Sequence, residues 1–324
     1  MKKIIALISA LLITVLSFAG CGGKNDGTLK IGIIQYMSHA SLDNCYNGVV
    51  AALEESGLEY KLDHQIGSSS SADADCNNFA KNMVAANYDM IIAIATPAAK
   101  AAFTATDDTD IPVIFCAVSD PVAAKIVESE EAPGYLCSGT SDVLDLEAQV
   151  DLIQGIQPDV EKIGVLYTSS EDNSITNLNN FKAVCDKREI TVVAKAVQKA
   201  SDVPAAADAL AAEVDCINNF TDNNVVENLN VVLSAAEKNK IPVYGSEEEQ
   251  VKKGCLAAVS IDYVSLGKTT GEMAVEALGG ADLAKMPVRT IKDATPIVNS
   301  DVLAELGLSL PAVYSSVRTV TTSK

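Results

Sequence analysis

Polar side chains that directly follow buried apolar runs are the residues of this chain best placed to bind a ligand. The run from Met90 to Ile94 leads to Thr96 and Pro97, which open an alanine-rich segment. Such a run is typical of a strand buried on both faces, and Thr followed by Pro is typical of a helix start. The first N–H groups of a helix lack partners within it and favour an anion. The sequence therefore predicts an anion site at Thr96, Pro97 and Ala98, with the Thr96 hydroxyl as the helix cap.

A second stretch repeats this order of features but carries an acid. In "DCINNFTDNNVVENL", Asp215 to Leu229, a strand-like run again precedes a Thr, and Asp222 stands where the first stretch has Pro97. A carboxylate in a cleft needs a cationic partner, and an α-ammonium group would supply one. We therefore expect Asp222 to bind an ammonium group, with a helix N-cap as its alternative role. The neighbouring Asn223 is a lesser candidate.

Eight further candidates lie at predicted strand ends, helix starts and chain crossings. They are Gln35, Tyr36, Ser119, Asp120, Ser141, Asn173, Ser174 and Asp262. A carboxylate near Asn173 and Ser174 would gain from the dipole of the helix that starts there. The alternatives are a simple turn at Asp120 and a capping segment at Asn173. Together the candidates predict a clamp for a zwitterion, in which the two helix starts bind a carboxylate and Asp222 binds an ammonium group.

The elements that must position these residues occur in two copies. "LKIGIIQYMSHASLDNCYNGVVAAL" from Leu29 recurs in outline as "EKIGVLYTSSEDNSITNLNNFKAV" from Glu161. The first copy predicts strands at 29–35, 58–65, 89–95 and 111–116 and helices at 41–56, 72–86 and 97–105. The second predicts strands at 161–167, 190–197, 214–219 and 241–244 and helices at 173–188, 203–212 and 223–239. Alternating strands and helices predict two α/β lobes with parallel sheets, and a ligand beyond the carboxyl ends of the strands.

The N-terminus predicts export and a lipid anchor. A basic start precedes an apolar run from Ile4 to Phe18, and small residues then lead into Cys21. This pattern resembles a bacterial lipoprotein signal, with residues 1–20 as the signal peptide, Cys21 as the lipidated residue and 21–28 as a tether. An uncleaved membrane helix is the alternative, but the run is short for a span of about 20 residues. We therefore expect a protein held by lipid at the extracytoplasmic face of the cell membrane.

The composition excludes several classes of function. The 324 residues carry a formal net charge of −19, whereas a nucleic-acid binder needs a basic face. The two histidines, His39 and His64, lack the spacing of metal ligands, so we expect no metal and no cofactor. No G-x-S-x-G motif occurs, and we expect no catalytic residues. Seven cysteines remain besides Cys21, an odd number without a C-x-x-C pair, and we expect mostly reduced core thiols.

Five motifs occur in an order that identifies a family. "IATPAAK", "FCAVSDPVAAKIV", "GTSD", "IGVLYTSSEDNS" and "FTDNNVV" resemble the ABC-transporter substrate-binding family that includes tryptophan and tyrosine binders, and the resemblance covers residues 29 to 310. It implies a type I periplasmic-binding-protein fold, with Rossmann-like lobes joined by a three-segment hinge. Lobe one would comprise 29–140 plus 263–290, and lobe two 141–262 plus 291–318.

The same resemblance implies a function. We expect a lipoprotein of an ABC importer that captures a free amino acid, similar to tryptophan, tyrosine or phenylalanine, and delivers it to a permease and its ATPase. The residues leave alternatives open: a ligand-sensing lipoprotein on the same fold, or a binder of a nucleoside or an aliphatic amino acid. An enzyme on this scaffold would need a nucleophile with a base, which the sequence does not offer.

Overall fold

The computed structural model describes residues 28–291 and 294–323. The predictions for the signal peptide, for Cys21 and for the tether up to residue 27 lie outside the described residues. Within the described ranges, no helix combines the length and the apolar composition that crossing a membrane requires.

The described residues alternate strands and helices along nearly the whole chain. The strands are β1 (Leu29–Gln35), β2 (Tyr60–Ile66), β3 (Met90–Ile94), β4 (Val113–Cys116), β5 (Cys137–Ser141), β6 (Lys162–Thr168), β7 (Thr191–Val197), β8 (Cys216–Asn218), β9 (Val243–Tyr244), β10 (Ala257–Ser260), β11 (Arg289–Thr290), β12 (Thr295–Asn299) and β13 (Arg318–Val320). The α-helices are α1 (Ala40–Glu55), α2 (Ala72–Ala85), α3 (Thr96–Thr106), α4 (Leu146–Ile156), α5 (Asp172–Asp186), α6 (Val203–Ala211), α7 (Asn223–Glu227), α8 (Leu229–Asn239), α9 (Glu248–Lys253), α10 (Tyr263–Leu278) and α11 (Ser300–Glu305).

The strands form three sheets, which define two lobes. Lobe one contains a six-stranded sheet in the order β11-β5-β4-β3-β1-β2, and all its pairs are parallel. Lobe two contains a four-stranded parallel sheet in the order β7-β6-β8-β9. A three-stranded sheet, β10-β12-β13, completes it and includes one antiparallel pair, β10 with β12. The predicted α/β architecture with parallel sheets is confirmed.

Apolar runs form the central strands, as the sequence predicts. All five side chains of β3 are fully buried, because the strand lies inside the sheet with helices over it. One predicted helix is wrong: the expected helix 223–239 is divided into α7 and α8. The division falls at Asn228, whose side chain donates to the Asn224 carbonyl at 2.8 Å and so competes for backbone groups.

Helix α10, which follows β10 of lobe two along the chain, packs on lobe one. Helix α10 packs closely against α1, and the contact depends on glycine in both helices. A Cβ at Gly48 would lie 2.1 Å from the Val264 carbonyl oxygen, and one at Gly267 would lie 2.1 Å from the Cys45 carbonyl oxygen. Larger residues would therefore separate the two helices. This packing fixes the start of α10, including Tyr263, against lobe one.

The cysteines are core residues. Seven are described, and all seven are buried with free thiols: Cys45, Cys76, Cys116, Cys137, Cys185, Cys216 and Cys255. Burial raises the pKa of several of these thiols, to about 12 for Cys76 and Cys185. A neutral thiol packs as a small apolar group, in agreement with the prediction.

Candidate functional site

The ends of strands from both lobes meet at a small buried cavity. Its wall consists of His39, Ser41, Leu42, Ala95, Thr96, Ala117, Ser119, Asp142, Asn173, Thr221, Asn223 and Tyr263. The cavity measures about 10 Å³, the room that the centre of one water molecule needs. Four predicted binding residues lie on this wall, Thr96, Ser119, Asn173 and Asn223. The other eight wall residues were not predicted.

Buried polar atoms without a hydrogen-bond partner concentrate at this cavity. Among the described residues, six side-chain atoms are of this kind. Four belong to the cavity wall: His39 Nδ1, Thr96 Oγ1, Asn173 Oδ1 and Thr221 Oγ1. Nearly all buried polar groups in proteins have partners, so such a cluster needs an explanation. The arrangement can give hydrogen bonds to a small molecule that has both donors and acceptors.

Lobe one contributes the start of α3, where one prediction is wrong. The Thr96 hydroxyl does not cap the helix: Ala95 is the N-cap residue, and no side chain of the described residues accepts from the first turn. Thr96 is already the first helical residue, one position past the N-cap from which a side chain caps a helix. Pro97 borders a neighbouring groove, which Lys100 and Asp172 also line, and Ala98 is fully buried. Neither residue lies on the cavity wall.

Two alanines with left-handed backbone dihedrals lie on the same wall. Ala95, at the end of β3, has φ 82° and ψ 154°, a region that is almost restricted to glycine. Ala117, one residue after β4, has φ 57°. Backbone strain of this kind costs about 1–3 kcal/mol per residue and is concentrated at binding sites. At the ends of β3 and β4 the chain therefore turns through strained residues, and their small side chains line the cavity.

Lobe two contributes the start of α7, where Asp222 has the alternative role that the sequence left open. Its carboxylate caps the helix by accepting from the Val225 N–H at 3.0 Å. It also accepts from the N–H and the hydroxyl of Thr168 and from the Ser174 hydroxyl. These four donors occupy the carboxylate, and Asp222 does not reach the cavity wall. Asp222 therefore joins the start of α7 to the end of β6 and to the first turn of α5, and its contact with an ammonium group stays a prediction.

A second buried acid of lobe two, Glu171, lies directly behind the wall. Its carboxylate accepts from the Asn223 side chain at 2.6 Å and from the Asn173 side chain at 3.2 Å, and both of these amides line the cavity. It also accepts from the Asn224 side chain at 3.3 Å. Burial raises the pKa of Glu171, and the nearby Asp222 raises it further. No basic side chain of the described residues forms an ion pair with either acid.

The acid that reaches the cavity is Asp142, which the sequence prediction missed. It follows β5 and is buried, and it accepts from Ser119 Oγ at 2.8 Å and from the Tyr263 hydroxyl at 2.9 Å. Burial raises its pKa. Two donors leave carboxylate lone pairs free for a further donor. The signal was present in the motif "GTSD", but spacing alone does not show that Asp142 meets Tyr263, which is 121 residues away.

Six more predicted residues lie off the cavity wall: Gln35, Tyr36, Asp120, Ser141, Ser174 and Asp262. Gln35 and Ser141 are buried and bonded within lobe one. The Tyr36 hydroxyl donates to Asp73 at 3.0 Å. Asp120 accepts from the Ala123 N–H in a turn, and Asp262 is the N-cap of α10. The turn interpretation of Asp120 is therefore the correct one.

Contacts between the lobes enclose the cavity. His39 Nε2 of lobe one lies 3.2 Å from Asn223 Oδ1 of lobe two. At the rim, Lys100 forms an ion pair with Asp172, and the Ser69 hydroxyl donates to Glu227. A groove of about 240 Å³ beside Lys100 and Asp172 shares Thr96 with the cavity and so adjoins it. Within residues 28–291 and 294–323, no cluster of three or more His, Cys, Asp or Glu residues suits a metal ion.

Comparisons with known proteins agree with this architecture. The family model for ABC transporter substrate binding proteins matches residues 30–318. A tyrosine-binding protein of Clostridioides difficile is 36% identical over 325 residues, which cover 95% of this chain and 93% of that protein. The family resemblance inferred from the five sequence motifs is confirmed.

Two solved structures resemble this chain, one with a bound ligand and one without. A Streptococcus pneumonia ABC domain in complex with L-Trp is 34% identical, covers 90% of this chain and all of its own, and gives a TM-score of 0.86. The ligand-free, open structure of a Clostridium difficile substrate binding protein with adhesive properties is 37% identical, covers 91% of this chain and all of its own, and gives 0.69. The chain belongs to the family of ABC transporter substrate binding proteins, which bind solutes rather than catalyse reactions, and it has their type I fold.

Proposed function

We propose that this chain captures a free aromatic α-amino acid in the cavity between its lobes. The observation that carries the proposal is the set of unpartnered buried atoms on the wall. Two of them, Thr96 Oγ1 and Thr221 Oγ1, are hydroxyls that can donate, and two, His39 Nδ1 and Asn173 Oδ1, are positioned as acceptors. A zwitterion with a carboxylate and an ammonium group satisfies both kinds.

The carboxylate of the ligand would face the start of α3. Helix α3 has 11 residues, and no described side chain caps its first turn, so its N-terminal partial charge is available to an external anion. Thr96 Oγ1 lies at this point and is buried without a partner among the described residues. Thr221, at the corresponding position of lobe two, offers a second hydroxyl.

The ammonium group of the ligand would face the acids. Asp142 is the carboxylate on the wall, and Glu171 lies behind the wall through Asn173 and Asn223. The raised pKa values of Asp142 and Glu171 reflect burial without a cationic partner, and a ligand cation would favour their ionised forms. Asn173 Oδ1 is an acceptor because its Nδ2 donates to the Thr221 carbonyl oxygen at 3.3 Å.

The preference for an aromatic side chain rests on the relatives and on the wall. One relative is named as a tyrosine-binding protein and one solved structure contains L-Trp. Ala95 and Ala117 are small, and the adjoining groove of about 240 Å³ offers further volume once the lobes separate. An amino acid needs more room than the cavity has, so we propose that the bound ligand extends from the cavity into the adjoining groove, and that binding and release proceed by opening of the hinge.

We further propose that the chain delivers its ligand to an ABC permease and its ATPase from a lipid anchor at Cys21 on the extracytoplasmic face. The family match supports a role beside a transporter, and the N-terminal sequence pattern supports the anchor. The hinge would consist of the three crossings between 29–140 plus 263–290 and 141–262 plus 291–318. These boundaries stay a proposal.

A thermal-shift screen against the twenty amino acids, common nucleosides and sugars tests this function. Ligand at 100 times its Kd adds about 2.7 kcal/mol to the free energy of unfolding, a shift of several degrees for domains of this size. We expect L-tyrosine, L-tryptophan or L-phenylalanine to give the largest shift. D-tyrosine, which carries the same charged groups in the opposite configuration at Cα, is the control and should raise the melting temperature less. A screen in which only nucleosides or sugars raise the melting temperature would contradict the proposal.

A further inference from the structure

His39 stands at the contact between the lobes with one ring nitrogen engaged and one free. It precedes α1, and its side chain is 9% exposed on the cavity wall. Nε2 lies 3.2 Å from Asn223 Oδ1. Nδ1 is buried and has no hydrogen-bond partner among the described residues. The ring therefore presents Nε2 to lobe two, while Nδ1 is an unpartnered atom of a residue on the cavity wall.

The hydrogen bonds of Asn223 decide which nitrogen carries the proton. Asn223 Nδ2 donates to Glu171 Oε2 at 2.6 Å, so Asn223 Oδ1 is the atom that faces His39. An amide oxygen only accepts, so Nε2 of His39 must be the protonated nitrogen. Burial lowers the pKa of His39 to about 4, which keeps the ring neutral at neutral pH. Nδ1 is consequently an acceptor that has no donor among the described residues.

Glu171 lies among amide donors, whose hydrogen bonds oppose the rise in its pKa that burial and Asp222 cause. Side-chain amides of Asn173, Asn223 and Asn224 all donate to it, and the Asn223 N–H approaches at 3.4 Å. The Glu171 carboxyl group thus fixes the orientation of the Asn223 amide. The amide oxygen, which faces His39, in turn fixes the tautomer of the imidazole. Since Glu171 and Asn223 belong to lobe two and His39 to lobe one, this chain of hydrogen bonds exists only while the lobes are in contact.

We propose that His39 contacts the ligand, with its unprotonated Nδ1 accepting a hydrogen bond from the α-ammonium group, and that Asn223, held by Glu171, is the positioning residue that sets this tautomer on closure. The inference rests on the proposed function, because it requires an amino acid as the ligand. It adds a recognition residue that the sequence motifs did not indicate. It also gives a reason why closure and recognition of the ammonium group occur together.

Two substitutions of His39 distinguish the role of Nδ1 from the role of Nε2. In His39→Asn, the amide oxygen can occupy the place of Nδ1, so the acceptor for the ligand is kept and the contact with Asn223 is lost. In His39→Gln, the amide occupies the place of Nε2, so the contact with Asn223 is kept and the acceptor is lost. Isothermal titration with L-tyrosine should show that His39→Gln weakens binding about tenfold or more, and that His39→Asn weakens it clearly less. The opposite order would show that His39 serves only to join the lobes, and it would overturn the proposal.

Two ligand analogues identify the group that His39 meets. 3-(4-Hydroxyphenyl)propanoate is L-tyrosine without the ammonium group, and L-phenylalanine is L-tyrosine without the phenol oxygen. We expect the penalty of His39→Gln to persist with L-phenylalanine and to fall to about twofold or less with the propanoate, measured by competition. A penalty that persists with the propanoate and disappears with L-phenylalanine would place the phenol at Nδ1 and overturn the assignment to the ammonium group.

A measurement on the wild-type chain makes the test independent of how the variants fold. The sequence has two histidines, so ¹⁵N spectra of the imidazole groups give two sets of signals, and a His64→Gln variant assigns them. With L-tyrosine bound, His39 should show a protonated Nε2 and an unprotonated Nδ1. A protonated Nδ1 would overturn the proposal. If the wild type binds no amino acid, the proposed function fails and this inference fails with it, whereas tight binding of L-tyrosine with the wrong tautomer overturns this inference alone.

Discussion

The starts of α3 and α7 occupy the same position in the two copies of the fold, yet they are built in different ways. Each start has a Thr whose hydroxyl is buried on the cavity wall without a partner among the described residues: Thr96 is the first residue of α3, and Thr221 precedes the N-cap of α7. At α3 the N-cap residue is Ala95, and no described side chain accepts from the first turn. At α7 the N-cap is Asp222, whose carboxylate accepts from the helix, from the last residue of β6 and from the first turn of α5.

The difference shows how a repeated fold can bind a ligand with two unlike charges. The uncapped start of α3 offers its N-terminal partial charge to an external anion. The start of α7 is already capped by its own carboxyl group, so lobe two presents amides and a hydroxyl to the cavity, with the buried acids Asp222 and Glu171 behind them. Asp142 adds a carboxylate at the wall itself. The two sides of the cavity thus differ in electrostatic character although they share a topology.

Substitution of Asp222 gives the largest expected effect, because it removes the feature that lobe one lacks. Asp222→Ala would leave the Val225 and Thr168 N–H groups and two hydroxyls without their acceptor. We expect a loss of about 3 kcal/mol in the free energy of unfolding of the ligand-free protein, measured by chemical denaturation. Affinity for L-tyrosine should fall as well, because Thr221 and Asn223 are displaced.

The matched control is Asp120→Ala in lobe one. Asp120 also follows a strand, but it is bonded only to the N–H of Ala123 in a partly exposed turn. Its loss should cost less than about 1 kcal/mol and leave the affinity unchanged. If Asp222→Ala kept wild-type stability but lost affinity, Asp222 would be a direct ligand contact, and the comparison between the two helix starts would be wrong.

Substitution of the two threonines tests what the helix starts share. Thr96→Val and Thr221→Val each replace an unpartnered buried hydroxyl by a methyl group. We expect the stability of the ligand-free protein to be unchanged or slightly raised, because no hydrogen bond to a described residue is lost. Affinity for L-tyrosine should fall about tenfold in each variant, with the larger fall for Thr96, which is the first residue of the uncapped helix.

Thr140→Val is the control for this pair. Its hydroxyl is equally buried but lies 2.7 Å from the Thr270 hydroxyl, away from the cavity wall. This variant should lose about 1 kcal/mol of stability and keep its affinity. If Thr96→Val lost stability rather than affinity, its hydroxyl would have a structural partner, and the assignment of the carboxylate to α3 would be contradicted. Melting curves with and without L-tyrosine separate the two results.

Most of the fold follows from local sequence patterns. The strand at 29–35 was predicted with its observed bounds, and the ends of the other strands and helices of the two copies differ from the prediction by at most two residues. The long apolar runs and the helical periodicity are local signals, so the sequence carries them directly. The break at Asn228 was missed, because an Asn inside a helical pattern gives no sign of which backbone group its side chain will take.

The site was less predictable, because its contacts join distant parts of the chain. The sequence placed Asp222 at a strand end correctly but could not show that Thr168 and Ser174, 54 and 48 residues away, would occupy its carboxylate. Asp142 and His39 were missed for the same reason, since their roles depend on Tyr263 and Asn223. The uncapped start of α3 depends on the left-handed dihedrals of Ala95, a conformation that no rule of propensity assigns to alanine.

The central claim is that the cavity binds both charged ends of an α-amino acid, and wild-type protein with three ligands tests it most directly. Isothermal titration would compare L-tyrosine with tyramine, which lacks the carboxylate, and with 3-(4-hydroxyphenyl)propanoate, which lacks the ammonium group. Several charge-assisted hydrogen bonds are lost with either end, so each analogue should bind at least about a hundredfold more weakly than L-tyrosine. An analogue that bound within about threefold of L-tyrosine would contradict the claim, because the charged end that it lacks would then contribute almost nothing to binding.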